Sequence, residues 1–336
     1  MYTTDFEKLK KQLNFEPDPT RPVSKQASEN TVRLFDYLKS IYGKKHLAGQ
    51  QYLQSEEVED LVYYHLTGKL PAVRGYDFMG VSSCKKTDDQ VDRAIKWATQ
   101  CGGIVTMCWH WYAPNDMDDY SKGSSFYYKT TGYDHKTCFD LCKGVTEGTA
   151  EYEFIIREID MVSAELKRMA QLDIPVLWRP LHEANGNWFW WGNHDEQHRE
   201  AYKKLWYMIF DRMENYHKLT NLIWVWNSQV PECYPGDDVV DIISRDMYPP
   251  EHEHTSQSDM YYNLCEITSA KKITIIGETG TLPSPEAVVS EKVGWSSYMT
   301  WSKPFCLTEK FNTHEQLKKV YNSEYVVTKD KLPVLY

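Results

Sequence analysis

Short apolar runs alternate with longer amphipathic stretches along most of this chain. Residues 175–179, for example, carry Val176, Leu177 and Trp178 in succession without a polar residue between them. Runs of this kind are typical of strands that are buried on both faces, as in a parallel sheet. Eight such runs occur, at residues 46–50, 72–78, 103–109, 175–179, 222–226, 241–247, 273–276 and 297–301.

The stretches between these runs show the apolar spacing of helices. Apolar residues recur every three or four positions in segments 28–42, 55–67, 88–101, 151–172 and 195–218, and Gly43 is placed to end the first of them. Strands that alternate with helices pair in parallel, and eight such units fit a closed barrel. We therefore predict an α/β fold, a single (β/α)8 TIM barrel formed by one domain over residues 1–336, with a proline-containing N-terminal arm and a helix before the first strand.

Two loops at the predicted carboxyl ends of the strands are long or unusually aromatic. Residues 115–150 follow the third strand and are rich in Gly, Ser, Tyr and Asp, and residues 248–257 follow the sixth. Active sites of such barrels lie at this end, where loops after the strands converge. We expect the two loops to border a cleft on different sides.

Composition excludes several classes of function. The 336 residues have a formal net charge of −10, so a nucleic-acid backbone is not the expected partner. No apolar run is long enough to span a bilayer, and no membrane association is expected. Aromatic residues make up 14% of the chain, with 12 Trp and 24 Tyr. Their flat apolar faces with polar edges suit stacking on sugars, although most of them are expected to pack between helices and barrel.

The eight cysteines lack the paired Cys-x-x-Cys spacing of a zinc ribbon. Cys138 and Cys142 are the closest pair in sequence, and both a disulfide and buried thiols are compatible with the pattern. The chain opens on polar residues rather than on a secretory leader, which fits either an intracellular protein or one whose leader has been removed.

Two glutamates lie where two of the apolar runs end. Glu183 follows the fourth run closely, and Glu278 stands between Gly277 and Thr279 after the seventh. A pair of carboxylates that faces one cleft is the equipment for hydrolysing a glycosidic bond, with one acid protonating the leaving oxygen. The four tryptophans near Glu183 make this interpretation stronger than two unrelated solvated glutamates.

The segment 178–192, WRPLHEANGNWFWWG, closely resembles the strand-four region of glycoside hydrolase family 26, whose best-known members are β-mannanases. The resemblance covers nearly the whole chain. It includes residues 49–51 (GQQ), 74–77 (RGYD), 246–249 (DMYP) and 277–278 (GE), and His182 before the acid favours this family over related barrel glycosidases. The resemblance implies that Glu183 is the general acid/base and Glu278 the nucleophile of a retaining mechanism, with their carboxyl groups about 5 to 5.5 Å apart.

The same resemblance implies roles in substrate binding for six further residues. Tyr248 would contact the nucleophile and Asp246 would orient its neighbours, while His110 and His182 would flank the reacting sugar. Trp301 would form the floor beneath that sugar, and Trp188 would stack beyond the scissile bond. Loop packing for Tyr248 and core packing for Trp188 and the histidines are the competing interpretations. Ser302 stands where some mannanases of the family carry an arginine that contacts the next sugar.

Other sites and functions were weighed against this one. His194 with His198, and His252 with His254, are the only histidine pairs with ligand-like spacing, and neither completes a ligand set, so we expect no metal and no cofactor. A non-catalytic carbohydrate-binding barrel would need only the tryptophans. A mixed-linkage β-glucanase or a β-xylanase would use the same two glutamates. The resemblance implies an endo-β-1,4-mannanase that acts on β-mannan polysaccharides or manno-oligosaccharides, and we expect it to be monomeric and, because such polymers lie outside cells, secreted.

Overall fold

Eight parallel strands form a closed barrel in the computed structural model, which describes residues 17–18, 21–53, 57–85, 89–129 and 131–336. Each strand pairs with the next along the chain, and the eighth pairs with the first through residues such as Leu47 and Ser297. The strands are β1 His46–Gln51, β2 Val73–Asp77, β3 Ile104–Cys108, β4 Val176–Arg179, β5 Leu222–Asn227, β6 Ile242–Met247, β7 Ile273–Thr279 and β8 Ser297–Thr300. The predicted (β/α)8 fold is confirmed.

Helices surround the barrel and close its lower end. In the described part of the chain they include α1 Glu29–Ile41, α2 Val58–Thr67, α3 Gln90–Cys101, α4 Ala150–Gln171, α5 Glu196–Asp211, α6 Ser258–Ile267, α7 Pro285–Ser290 and α8 His314–Asn322, and a further short helix spans Leu141–Gly144 before α4. The Ser28 side chain accepts a hydrogen bond from the backbone N–H of Thr31 and so caps α1. Leu34, Phe35 and Leu38 of α1 pack in one apolar cluster with residues at the starts of the strands, which closes this end to solvent.

Some predicted elements differ from those in the structure. Residues 228–241, all of them described, contain only the short 3-10 turn Pro231–Cys233, so β5 and β6 are joined without an α-helix. The predicted helix 195–218 ends as an α-helix at Asp211 and continues as a π-helical turn, Arg212–Tyr216. The starts of the predicted helices at 55–56 and 88, and most of the N-terminal arm, lie outside the described residues.

The long loop after β3 is ordered by pairing with the loop after β4. A two-stranded ribbon joins Ala113–Pro114 to Ser124–Ser125, and Tyr127 forms an antiparallel bridge with Phe189. The backbone N–H of Tyr128 also donates to the carbonyl of Trp188 at 2.7 Å. The two loops therefore form one wall at the carboxyl end of the barrel.

A register shift between β6 and β7 determines which side chains meet at the top of the barrel. Arg245 pairs with Ile276, whereas Asp246 pairs with Glu278, so Gly277 has no partner in the register. A Cβ atom on Gly277 would lie 2.3 Å from Asp246 Oδ1 and 2.7 Å from Asn227 Nδ2. Only glycine therefore leaves room for these two side chains beside Glu278.

All eight cysteines lie in the described part of the chain and carry free thiols, including Cys138 and Cys142. Among the described residues, no helix has both the length and the apolar character needed to cross a bilayer.

Candidate active site

Glu183 is presented by a tight turn just after β4. Leu181 and Glu183 both adopt positive φ angles, 50° and 55°, a region that non-glycine residues seldom occupy. The backbone N–H of Glu183 donates to the Oδ1 of Asn227 at 2.7 Å, which fixes the turn to the end of β5. Such local strain at the carboxyl end of a barrel strand is typical of functional positions.

Glu278 lies inside β7 and points to the same place as Glu183. One carboxylate oxygen from each of Glu183, Asp246 and Glu278 lies within 4.8 Å of the other two. This spacing is close to the roughly 5 to 5.5 Å separation of retaining glycosidases and well below the roughly 6.5 to 9.5 Å of inverting ones. The two glutamates, 95 positions apart in sequence (278 minus 183), therefore face one reaction volume.

Arg179, the last residue of β4, holds two of these carboxylates in place. Its Nη1 donates to Asp246 Oδ2 at 2.7 Å and its Nη2 donates to Glu278 Oε1 at 2.6 Å, and all three side chains are almost fully buried. Asn227 donates to the other oxygen of Asp246 at 2.7 Å. Neither Arg179 nor Asn227 was predicted as a site residue. The available signal was that each one ends a barrel strand.

Tyr248 donates its hydroxyl proton to the second oxygen of Glu278, at an O–O distance of 2.8 Å. Its side chain is 44% exposed and its ring lies 5.3 Å from that of Phe305, so it borders the open side of the site. Both oxygens of Glu278 thus accept hydrogen bonds from fixed donors. This arrangement suits an ionised carboxylate.

Glu183 has a different electrostatic environment. Burial raises the pKa of its carboxyl group to about 7, and the nearby negative charge of Glu278 acts in the same direction. The indole N–H of Trp188, which donates to Glu183 Oε2 at 2.6 Å, opposes this shift, as do His110 and Arg179. A large fraction of the molecules therefore has a protonated Glu183 near neutral pH. Glu278, in contrast, accepts hydrogen bonds from Arg179 and Tyr248.

Asp246 shares this buried environment. Burial raises the pKa of its carboxyl group well above the ordinary range, Glu278 and Glu183 add to the shift, and the Arg179 guanidinium opposes it. Three carboxyl groups thus lie together beside one arginine, which bonds to two of them.

His110 and His182 form a pair beside these carboxylates. Their rings lie 4.4 Å apart and their Nε2 atoms are 3.2 Å apart, while the Nδ1 of His110 bonds to Asp77. Burial lowers the pKa of His182 well below its usual value. Burial also acts to lower the pKa of His110, but the Asp77, Glu278 and Glu183 carboxylates together outweigh it and the pKa is raised. Neither histidine is an isolated residue of the core.

The two tryptophans predicted to contact substrate occupy different walls. Trp188 is half-buried and bonds directly to Glu183. Trp301 follows β8, its backbone N–H donates to Thr279 at 2.9 Å, and its ring lies 6.1 Å from that of His110. Ser302, in contrast, is 1% exposed and its hydroxyl donates to the carboxylate of buried Glu59.

The histidine pairs weighed as metal ligands bond elsewhere. His194 contacts the carbonyl of Phe189 at 2.9 Å, and His254 contacts that of Leu282 at 2.7 Å. Within the described residues, two groups of potential ligand atoms do converge: Glu183 with Asp246 and Glu278, and Asp77 with Cys108 and His110. Arg179 already bridges the first group, and His110 bonds directly to Asp77 in the second. Hydrogen bonds therefore account for both groups.

Comparisons with known proteins agree on one family. The model for "Glycosyl hydrolase family 26" matches residues 23–331. The chain is 37% identical over 320 residues to the mannan endo-1,4-beta-mannosidase of Thermothelomyces thermophilus, covering 93% of this chain and 63% of that protein. It is 36% identical over 340 residues to mannan endo-1,4-beta-mannosidase A of Piromyces sp, covering 96% of this chain and 53% of that one. The chain thus spans between half and two thirds of the lengths of these relatives.

Solved structures give the same result. A ruminal GH26 endo-beta-1,4-mannanase superposes with a TM-score of 0.87 at 29% identity, covering 96% of this chain and 72% of that one. A beta-mannanase from a symbiotic protist of the termite Reticulitermes speratus, complexed with gluco-manno-oligosaccharide, superposes with a TM-score of 0.85 at 31% identity, covering 94% and 98% of the two chains.

Proposed function

Because the chain belongs to glycosyl hydrolase family 26, we propose that it hydrolyses internal β-1,4-mannosidic bonds of mannan, galactomannan or glucomannan with retention of configuration. The observation that carries this proposal is the convergence of Glu183 and Glu278 to within 4.8 Å, with Glu278 held by Arg179 and Tyr248. This spacing leaves no room for a water molecule between nucleophile and sugar, which an inverting enzyme needs.

In the first step, Glu183 donates its proton to the glycosidic oxygen while an oxygen of Glu278 attacks the anomeric carbon. The bond from that carbon to the leaving oxygen breaks, and the leaving chain departs with a new hydroxyl group. The product is a glycosyl ester of Glu278. The raised pKa of Glu183 keeps this proton available at neutral pH. After the step Glu183 is negatively charged and the esterified Glu278 is neutral, so the total charge of the two groups is unchanged.

In the second step, the ionised Glu183 accepts a proton from water as the water oxygen attacks the anomeric carbon. The ester bond breaks, and Glu278 recovers its negative charge in the presence of Arg179 and Tyr248. Two inversions at one carbon give net retention. The hydrogen bonds from Arg179 and Tyr248 also orient the attacking oxygen, so these residues position the nucleophile.

The remaining residues of the site are proposed to bind the sugar. His110, His182 and Trp301 surround the position next to Glu278, and Trp188 extends the wall beyond Glu183. Asp246 orients Arg179 and Asn227. No metal or cofactor enters this mechanism.

The substrate class rests on the relatives, since two of them at 36% and 37% identity are named as mannan endo-1,4-beta-mannosidases. A β-mannan polysaccharide or manno-oligosaccharide is therefore the proposed partner, and the acidic chain, with its net charge of −10, is not proposed to bind nucleic acid. We also propose that residues 1–336 act as one monomeric catalytic domain that is secreted, because such polymers lie outside cells.

Replacing Glu278 by Ala tests the proposal. Hydrolysis of galactomannan by the Glu278→Ala variant is expected to fall by at least about 1,000-fold because the covalent step is lost. Azide should restore turnover of an activated aryl mannoside and give the α-mannosyl azide, which identifies Glu278 as the nucleophile. Unimpaired hydrolysis by this variant would contradict the assignment.

The wild-type chain should be assayed alongside on galactomannan, lichenan and xylan. Release of reducing sugar from galactomannan in excess of the other two is the expected result. Preferential release from lichenan or xylan would identify a β-glucanase or a β-xylanase, and no turnover on all three would favour a binding protein.

A further inference from the structure

Asp77 ends β2 beneath the histidine pair and is 1% exposed. Its Oδ1 accepts hydrogen bonds from the backbone N–H groups of Met79 at 2.9 Å and His110 at 3.0 Å, and its Oδ2 bonds to the Nδ1 of His110. Its own backbone N–H donates to Gln90 at 2.8 Å. The carboxylate is therefore fixed on both sides and faces a single ring nitrogen.

This contact determines where the protons on the two histidines reside. A carboxylate that accepts from Nδ1 requires a proton on that nitrogen. The Nε2 of His110 faces the Nε2 of His182 at 3.2 Å, and only one of these two atoms carries a proton in that contact. His110 is the ion-pair partner of the buried Asp77 carboxylate, and this pair is stabilised when His110 also carries the proton on Nε2. Burial keeps His182 neutral, so its Nε2 can accept that proton in a hydrogen bond.

His110 is then a doubly protonated, positively charged ring. The titratable and charged groups that face it come from every neighbouring strand. They are Asp77 from β2, Cys108 from β3, Arg179, His182 and Glu183 from β4 and its loop, and Glu278 from β7. Burial acts against the charge, but Asp77, Glu278 and Glu183 all favour it and Asp77 contributes the most.

We propose that Asp77 is a positioning residue that keeps the second proton on His110 and thereby places a cation beside Glu183. The inference rests on the proposed function, because it concerns the charge seen by the acid/base. A positive charge on His110 favours the ionised form of Glu183. This is the form that must accept a proton from water in the second step. Asp77 is 1% exposed and bonds to the His110 ring, so it acts through that histidine.

The Asp77→Asn variant tests this inference. Asn retains the shape and can still accept from the two backbone N–H groups, but it no longer holds a proton on His110. The charge on His110 is lost at neutral pH, so the pKa of Glu183 rises. The alkaline limb of the plot of kcat/KM against pH is expected to move to higher pH, by on the order of half a unit. A merely structural role would lower activity at all pH values without moving the limb.

A second aspartate–histidine pair provides the control. Asp160 of α4 accepts from the Nε2 of His217 at 2.6 Å and from Arg212, and it lies on the outer helical layer. The Asp160→Asn variant should leave the pH limb unchanged. The inference would be overturned if the alkaline limb of kcat/KM did not move in Asp77→Asn. It would also be overturned if the limb moved equally in Asp77→Asn and Asp160→Asn.

A direct measurement on the wild-type protein covers the case in which Asp77→Asn does not fold. With 15N-labelled histidine, NMR should show one ring with both nitrogens protonated at pH values where ordinary histidines, with pKa near about 6.5, have become neutral. The His110→Gln variant identifies that signal by removing it. A neutral His110 at pH 6 would overturn the inference whether or not the protein acts on mannan. Failure of wild-type activity on mannan would instead count against the proposed function.

Discussion

At the scale of single residues, the two glutamates differ in what surrounds them rather than in where they lie. Glu278 accepts from a guanidinium and a phenol, whereas Glu183 accepts from one indole and lies in a buried environment that raises its pKa to about 7. Two identical carboxyl groups thus have different surroundings, as an acid/base and a nucleophile require. Each contact can be removed separately, which makes the assignment testable.

Removing the indole N–H should change the pH dependence in a known direction. Because the acid must be protonated, kcat/KM of the wild type should fall about tenfold per pH unit above pH ~7. The Trp188→Phe variant loses a donor that stabilises ionised Glu183, so its alkaline limb should move to higher pH. The measurement is kcat/KM from pH 5 to 9. Trp295→Phe, which loses an indole bond to the carbonyl of Ser256 elsewhere, is the control. An alkaline limb that lies at lower pH in Trp188→Phe than in the wild type would contradict this account.

Removing the arginine should affect stability as well as activity. The Arg179→Met variant leaves Asp246 and Glu278 buried beside each other without a cation, which should reduce the free energy of unfolding by about 3–5 kcal/mol. Urea denaturation measures this at neutral pH. Arg168 pairs with Asp92 and Glu165 on the surface, and Arg168→Met should cost less than about 1 kcal/mol. Equal losses in the two variants would contradict the expected role of burial.

The sequence predicted the two glutamates because each follows an apolar run, and strand ends converge in a barrel. The family resemblance also implied the contact of Tyr248 with Glu278, but the local pattern could not predict Arg179 as a partner of Glu278 or Asp77 as a partner of His110. Arg179 meets Glu278 across 99 positions and Asp246 across 67, and Asp77 meets His110 across 33. These contacts depend on strand register and side-chain direction, which the local pattern does not contain.

At the scale of elements, the register shift between β6 and β7 brings Asp246 level with Glu278. Gly277 makes this shift possible, since a side chain there would overlap with Asp246 and Asn227. The glycine is therefore a structural part of the site although it carries no functional group.

Filling this space should be costly. The Gly277→Ala variant is expected to lose about 1–3 kcal/mol of stability from overpacking, together with most of its hydrolytic activity, because Asp246 and Asn227 must move. Thermal unfolding and kcat/KM measure the two effects. A Cβ atom on Gly132 would meet nothing within 4 Å, so Gly132→Ala serves as the control and should change neither. Wild-type stability of Gly277→Ala would show that the strands adjust without strain.

Strands and helices were predicted well where the apolar pattern of the sequence repeats, and less well where that pattern is interrupted. The predicted alternation of strands and helices has one exception, since β5 leads to β6 through a short turn rather than an α-helix. Residues 228–241 include two prolines, Pro231 and Pro235, which disfavour a helix, but they do not reveal how the strands are then joined.

At the scale of the whole molecule, closure of the barrel depends on pairing between β1 and β8, whose residues lie 250 positions apart. The number of apolar runs predicted this architecture, because eight parallel strands with a right-handed twist close on themselves. The order of β-strand pairing then follows from the chain order. The fold was therefore more predictable than the site.

The thiols provide a test of the whole structure. Cys101 and Cys138 are exposed, four thiols are buried, and the remaining two are half-buried. Two thiols should therefore react quickly with a colorimetric disulfide reagent in the native protein, and all eight after unfolding. Reductant should leave the unfolding temperature unchanged. Fewer than eight reactive thiols in the unfolded, unreduced protein would reveal a disulfide and contradict this part of the structure.

The burial of the Ser302 side chain limits how this cleft can be redesigned. A Ser302→Arg substitution would place a long cationic side chain in a space that the Ser302 hydroxyl and Glu59 already fill. Introducing an arginine at this position thus requires rebuilding the segment around residues 302–305 and replacing Glu59 as well. Changing the cleft at residue 302 is therefore a problem of loop architecture rather than of one side chain.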